Sequence, residues 1–391
     1  MNILFVNNIF PLFANANSGA SVRSMRIITA LLKLGHVDVI SFVDNEVSNL
    51  DNCGVIYSKM IYTKSAFNTR LDKLKIIFSH SNPYDVMPID EERQIVIDSA
   101  VKEKHYDYIV TRYIDMACRC GLLKYGDRLI IDIDDDPESV VKMFGAKINS
   151  PMNRIFTTKF YSRYVGQAMR KILPAIHHAF CSEPNRAYPN TDFLPNISLF
   201  STPLPDVNFS VVPQNILFIG RMDHLPNIDS LVYFLQEVFP KVLAKQPDTI
   251  LRIVGKIDRP DLTQLCESVP NVVLCGFVEN LEDEYQQCRC AVVPLRLGTG
   301  TSVKLIEAMS LNRAVVTTSV GKRGLHSAFV AGEDYLLADE PSLFASSIIE
   351  LITDSAKNRQ IAHNALSKIT AYYSEKQFNE IVEKTFIKDE Q

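Results

Sequence analysis

The sequence lacks any window approaching 18 uninterrupted apolar residues, so nothing in it reads as a membrane-spanning helix. It has no C-x-x-C. Its eight cysteines are scattered, with two C-x-C pairs (Cys118/Cys120 and Cys288/Cys290), which favours reduced cytosolic thiols over a disulfide framework or a zinc site. The opening MNILFVNNIF lacks the basic segment and long apolar run of a secretory signal. There is no basic excess: 41 Lys and Arg against 45 Asp and Glu leave a net charge of −4, which argues against a nucleic-acid binder. No G-x-G-x-x-G follows the first strand candidate or starts at Gly298, which disfavours a dinucleotide oxidoreductase. Acidic residues are missing from one long stretch, 139 to 182.

What is present is ordinary in bulk, with 47% apolar and 22% charged residues. A chain of 391 residues suggests two domains, each able to bury its own core. Its most informative stretch is 291–325, AVVPLRLGTGTSVKLIEAMSLNRAVVTTSVGKRGL. An apolar run to Pro294 suits a buried strand. A loop with Gly298 and Gly300 among Thr299, Thr301 and Ser302 follows, then a helical pattern from Val303 to Leu311, then a β-branched run from Ala314 to Thr318. This is a βαβ unit whose loop lets a ligand close to its backbone. Free N–H groups at such a helix start carry about half a positive charge and favour a phosphate. Lys304 in the first turn and Glu307 three residues on share a helix face. The cation suits a diphosphate and the carboxylate a pair of sugar hydroxyls. An exposed helical ion pair is the plain alternative.

Along the rest of the chain, NILFVN (2–7), Val37–Val43, DYIVTR (107–112), RLIIDI (128–133), Ala175–Cys181 and Thr191–Pro195 read as strands. Ala20–Leu34 reads as a helix, with Ser18 as its N-cap and Gly35 beyond its end. Asp134, Asp135 and Asp136 cluster at a strand end, where they can bind a metal, act as a base or sit in a turn. In the acid-free stretch, Lys159, Arg163, Gln167 and Arg170 fall on one side of a helical wheel. Phe160, Tyr161, Tyr164, Val165 and Ile172 cover much of the rest. A solvated helix face and a surface for anionic lipid both fit this pattern. Pro203, Pro205 and Pro213 mark a linker. Beyond it NILFIGRMDHLPN reads as a strand, the loop Gly220–Arg221, and a long amphipathic helix opened by Pro226-Asn227. An arginine at that strand end can supply a fork for phosphate oxygens.

The segment 214–325 resembles the donor-binding part of GT-B-fold glycosyltransferases of the bacterial group 1 (GT4-type) family. The resemblance rests on Pro294, Gly298–Gly300, Ile306-Glu307-Ala308-Met309, Val315–Thr317, Gly321–Leu325 and the G-x-M-x-x-x-PN opening at Gly220. It is looser over 1–200, where Leu194-Pro195-Asn196 resembles a signature before the linker. Many members carry a glutamate where this chain has Thr299, and a subgroup shares the version seen here.

The resemblance implies an α/β protein of GT-B architecture, two doubly wound Rossmann-like domains facing a cleft. It implies an acceptor-side domain at 1–205, a donor domain at 206–370, and a final helix at 371–391 that packs back on the first. The implied activity is sugar transfer from a nucleotide-diphosphate sugar, as co-substrate, to a glycan or lipid-linked acceptor, with retention of configuration. No cofactor or metal is obligatory. The setting is cytoplasmic, in envelope polysaccharide synthesis, with peripheral contact at an anionic membrane. Arg221, Lys304 and Asp135 are the expected catalytic residues. Gly220, Gly255, Gly276, Phe277, Gly298, Thr299, Gly300, Thr301, Ser302 and Glu307 are expected around the donor, and Gly19, Ser21 and Arg23 on the acceptor side. A catalytically silent nucleotide-sugar binder and a GT-B-type nucleotide-sugar epimerase are the competing readings.

Overall fold

Strands that read as unbroken apolar runs need cover on both faces, and a parallel sheet between helices supplies it. The computed structural model describes residues 1–7, 11–12, 19–43, 51–61, 89–146, 148–184 and 188–387. It contains two compact units. The first comprises Met1–Pro195 together with the chain from Phe378 on, and the second is Asn196–Gln377.

The first unit holds a seven-stranded parallel sheet in the order β3-β2-β1-β4-β5-β6-β7. Its strands are β1 (Asn2–Asn7), β2 (His36–Ser41), β3 (Cys53–Ser58), β4 (Tyr108–Arg112), β5 (Leu129–Asp134), β6 (His178–Cys181) and β7 (Thr191–Phe193). Helices α1 (Gly19–Leu32), α2 (Glu91–Glu103), α3 (Ile114–Arg119), α4 (Pro137–Ala146) and α5 (Ser162–Ile172) belong to it. Ile3, Leu4, Phe5, Ile109, Ile130 and Ile131 are fully buried, as central parallel strands require. The N-cap expected at Ser18 lies outside the described residues.

The second unit repeats the plan with six parallel strands in the order β10-β9-β8-β11-β12-β13. These are β8 (Asn215–Ile219), β9 (Ile250–Val254), β10 (Val272–Gly276), β11 (Cys290–Val293), β12 (Ala314–Thr317) and β13 (Leu336–Leu337). Its helices include α6 (Leu225–Tyr233), α7 (Pro260–Ser268), α8 (Leu281–Gln286), α9 (Val303–Ser310), α10 (Pro341–Thr353) and α11 (Ser355–Tyr372). In both sheets the strand order reverses at the centre, between β1 and β4 and between β8 and β11. The carboxyl ends of those two strands open a crevice at each reversal.

Three local differences from the sequence reading have physical causes. Residues 204–209 do not hang as a linker. Arg313 donates to the Pro205 carbonyl (3.0 Å), Asn312 to that of Leu204 (3.2 Å) and Arg289 to that of Phe209 (2.9 Å), so this stretch belongs to the second unit. The basic helix is not a plain α-helix: a π-helical turn at Phe156–Tyr161 separates Pro151–Ile155 from α5 and breaks the 3.6-residue wheel. Lys159, Arg163 and Arg170 are nevertheless all exposed. The strand expected at Ala175–Cys181 shortens to β6 because Leu173–Ala175 still turns as a 3₁₀ helix.

Helix α12 (Glu375–Ile387) crosses from the second unit to the first. It buries Phe378, Val382 and Phe386, and Phe386 meets Tyr108 of β4 edge-on with ring centroids 4.8 Å apart.

Candidate functional site

The crevice between β8 and β11 gathers most of the expected donor residues. From β8 the chain enters Gly220, whose N–H donates to the Val254 carbonyl (3.0 Å) and so ties the loop to the end of β9. Gly255 lies against it with φ +135°, and a Cβ there would collide with the Gly220 carbonyl oxygen, so a larger residue would push the two strand ends apart. From β11 the chain enters the glycine loop. Thr317 donates to the Val293 carbonyl (3.1 Å) and Thr318 to that of Leu295, so β12 pins the loop's start. Arg323 donates to the Gly298 carbonyl (2.8 Å) from the following loop, a contact the sequence reading did not foresee.

Helix α9 begins after Ser302, which has the extended dihedrals of an N-cap (φ −75°, ψ 99°). Its hydroxyl makes no capping bond and is buried without a partner among the described residues. This hydroxyl and the first-turn N–H groups belong to the same helix start, a place that suits an anion.

Lys304 and Glu307 stand one turn apart on α9, recessed into the crevice. Burial lowers the Lys304 ammonium to about 8, opposed by the Glu307 charge. Burial raises the Glu307 carboxyl to about 7, opposed by Lys304. Neither behaves as half of an exposed helical pair. The Lys304 ammonium instead donates to Asn227 Oδ1 (2.7 Å) and lies 5.5 Å from the Phe218 ring centroid. His224 stands at the same rim, its imidazole pushed below the usual range by burial and then by Lys304.

Other expected donor residues are less gathered. Arg221 follows β8, but its guanidinium pairs with Asp223 two residues on (Nη2–Oδ2 2.6 Å) and is 64% exposed. Gly276 ends the edge strand β10 with φ +68°, and Phe277 beside it is 80% exposed. Thr299 is buried in the glycine loop, and Thr301 lies against Gly324.

In the first unit, the three aspartates after β5 take three different places. Asp134, in a left-handed conformation (φ 55°), is held by Arg112 (2.5 Å). Asp136 accepts from Ser139 N (3.1 Å) at the start of α4 and from the Tyr188 hydroxyl. Asp135 is half-buried and accepts from the Ser182 hydroxyl (3.3 Å). Its carboxyl is pushed up to about 7 by burial, then by the Asp134 and Glu183 charges.

Of the acceptor-side candidates, Gly19 begins α1 and Ser21 is buried within it. Arg23 is also buried, and it bonds to Asp132 and to the Leu194 and Pro195 carbonyls (3.1 and 3.2 Å). It is a tie within this unit. Asp132 and Arg112 were overlooked, although an aspartate inside LIIDID already signalled a buried charge in need of a partner.

Residues 213–354 match the family model described as Glycosyl transferases group 1. The chain carries a group 1 glycosyltransferase domain. A relative from Klebsiella pneumoniae, described as an uncharacterized 44.6 kDa protein in the cps region, is 23% identical over 377 residues. The match covers 92% of this chain and 94% of the relative. Among solved structures, sucrose-phosphate synthase from Thermosynechococcus elongatus shares 16% identity over 98% of each chain, with a TM-score of 0.67. Anabaena HepE, solved in complex with UDP and glucose, shares 14% identity over 99% of each chain, with a TM-score of 0.62. These likenesses give the glycosyltransferase the GT-B fold, in agreement with its two doubly wound sheets.

Proposed function

We propose that the second unit binds a nucleotide-diphosphate sugar at the start of α9 and that the enzyme passes the sugar to a glycan or lipid-linked acceptor. The observation that carries this reading is Ser302, at the N-cap position of α9, whose buried hydroxyl caps nothing and has no partner among the described residues. It sits two residues before the recessed Lys304, at the strand-order reversal where doubly wound sheets take ligands. In this reading the glycosyl carbon–oxygen bond to the diphosphate breaks as a bond to the acceptor oxygen forms. Lys304, the Ser302 hydroxyl and the α9 amides take up the negative charge that grows on the leaving group. Arg221 joins them by exchanging Asp223 for a phosphate oxygen. Glu307 receives ribose hydroxyls, and Phe277 offers an exposed ring to the base. The acceptor's proton goes to Asp135 of the first unit or to the leaving phosphate, and configuration is retained.

The cps-region relative and the UDP complex of HepE support a polysaccharide role and make UDP the first probe. A cytoplasmic enzyme at the inner membrane face would meet a lipid-linked acceptor. Exposed Phe144, Met152, Ile155 and Phe160 beside Lys159 and Arg163 support that setting. Among the described residues no helix is long and apolar enough to cross a membrane.

Thermal melting with UDP, GDP and ADP tests the donor site. One of them should raise Tm by ligand linkage, and Lys304→Ala should remove most of the shift. A wild-type Tm indifferent to all three and to their sugars would overturn the reading.

A further inference from the structure

The carboxamide of Asn227 joins both walls of the crevice. It lies in the first turn of α6, nine-tenths buried. Its Nδ2 donates to the Arg221 carbonyl (2.9 Å), and its Oδ1 accepts from Lys304 Nζ (2.7 Å) across 77 residues of chain. These two bonds settle the amide's orientation, since an ammonium can only donate and a carbonyl can only accept. Gly220 completes the contact: a Cβ there would stand 2.8 Å from Asn227 Cγ and 3.1 Å from Lys304 Nζ. Among the described residues, Asn227 Oδ1 is the one acceptor within hydrogen-bond reach of the Lys304 ammonium.

The choice of an amide is informative. An aspartate would hold the ammonium equally well but would neutralise it and could not donate to the Arg221 carbonyl. Alanine would leave the ammonium unheld and the carbonyl unpaired. Asparagine fixes the cation while its charge stays available to an anion. We infer that Asn227 is the positioning residue of the donor site, a neutral clamp that locks Lys304 to the β8–α6 loop and reserves its charge for a diphosphate. The diphosphate clause rests on the proposed donor reading, whereas the clamp does not.

The first test needs no ligand. Acetylation of Lys304 by a small amine-reactive reagent, followed by mass spectrometry from pH 6.5 to 10, reports the fraction of neutral amine. Asn227→Asp should move the Lys304 profile up by a pH unit or more, because a carboxylate then faces the ammonium. Asn227→Ala should raise the labelling rate at pH 8 at least threefold, because the acceptor is gone. A merely structural asparagine would lower Tm without driving Lys304 in these opposite directions. If either variant fails to fold, the other decides.

The second test measures UDP binding by titration. Asn227→Asp should weaken it at least tenfold, with Tm within a few degrees of wild type. An unchanged Lys304 profile in a folded variant overturns the clamp. A wild type that binds no nucleoside diphosphate overturns the donor reading and the diphosphate clause, and the labelling result still decides the clamp.

Discussion

Arg23 of α1 and Asp132 of β5 form a buried two-point ion pair, Nε to Oδ2 at 2.8 Å and Nη2 to Oδ1 at 2.7 Å, although 109 residues separate them. Arg112 shares the same carboxylate through its own Nε (2.8 Å) and holds Asp134 through Nη2. Burial alone would raise the Asp132 carboxyl, but the two guanidiniums outweigh it and hold it below the usual range. A lowered carboxyl stabilises the fold above its unfolded value, and the contribution is lost as pH falls through the lower folded value.

Removing one partner of this group should therefore be costly. Arg23→Ala leaves Asp132 buried with half its partners and should cost ~3 kcal/mol, the low end for a broken buried pair. For a unit of this size that is a fall in Tm on the order of 10 °C, measurable by calorimetry. A loss below about 1 kcal/mol would mean that Arg112 alone satisfies the carboxylate.

Asp135 should act differently from its neighbours. Its carboxyl is raised to about 7, so between about 4 and 7 the folded state holds a proton the unfolded state lacks. Stability from this residue accordingly falls as pH rises through that window. Asp135→Asn should keep or slightly raise Tm at pH 8 while lowering sugar transfer ~100-fold, the scale of a lost general base. The wild-type rate should climb with pH to a plateau above about 7. A fully active Asn variant would assign the acceptor proton to the leaving phosphate.

Lys304 makes UDP binding pH-dependent. Its ammonium titrates at about 8, and a bound diphosphate would favour the charged form. Binding at pH 8 to 9 should take up a proton, seen as a heat that varies with buffer ionisation enthalpy. Affinity should fall as pH rises above 8, and Lys304→Arg should flatten that fall. Pure stability follows the opposite sign: between about 8 and 10.5 the unfolded state binds more protons, so this residue favours the fold as pH rises. Buffer-independent heats in wild type would show that Lys304 does not meet the phosphate.

The basic surface of the first unit should bind anionic vesicles. Lys159, Arg163 and Arg170 near a bilayer contribute ~1 kcal/mol each, falling with salt. Co-sedimentation should occur with anionic but not zwitterionic vesicles. It should be lost in the Lys159/Arg163/Arg170→Gln variant, with UDP binding kept, and reduced by Met152→Ser, since Met152 is 81% exposed. A wild type that ignores anionic vesicles at low salt would point to a soluble acceptor.

The alternation of apolar strand runs with helical patterns, and the placement of Gly298–Ser302 before α9, were legible in the sequence by itself. Each depends on neighbours within a turn or two, where a helix's ~100° step puts Lys304 and Glu307 on one face whatever the rest of the chain does. The partners of charged groups were not legible. Asp134, Asp135 and Asp136 are equivalent as text, and only the sheet decides that the first meets Arg112, the third caps α4 and the second keeps a raised carboxyl. Arg23 read as an acceptor-side residue, and its pairing with Asp132 of β5, which buries it, has no trace in the local pattern. Arg221 found Asp223, and Asn227 found Lys304, through side-chain reach across loops that no local pattern encodes. Periodicity records which face of an element is apolar. Which cation meets which carboxylate depends on strand order, and that is a property of the assembled sheet.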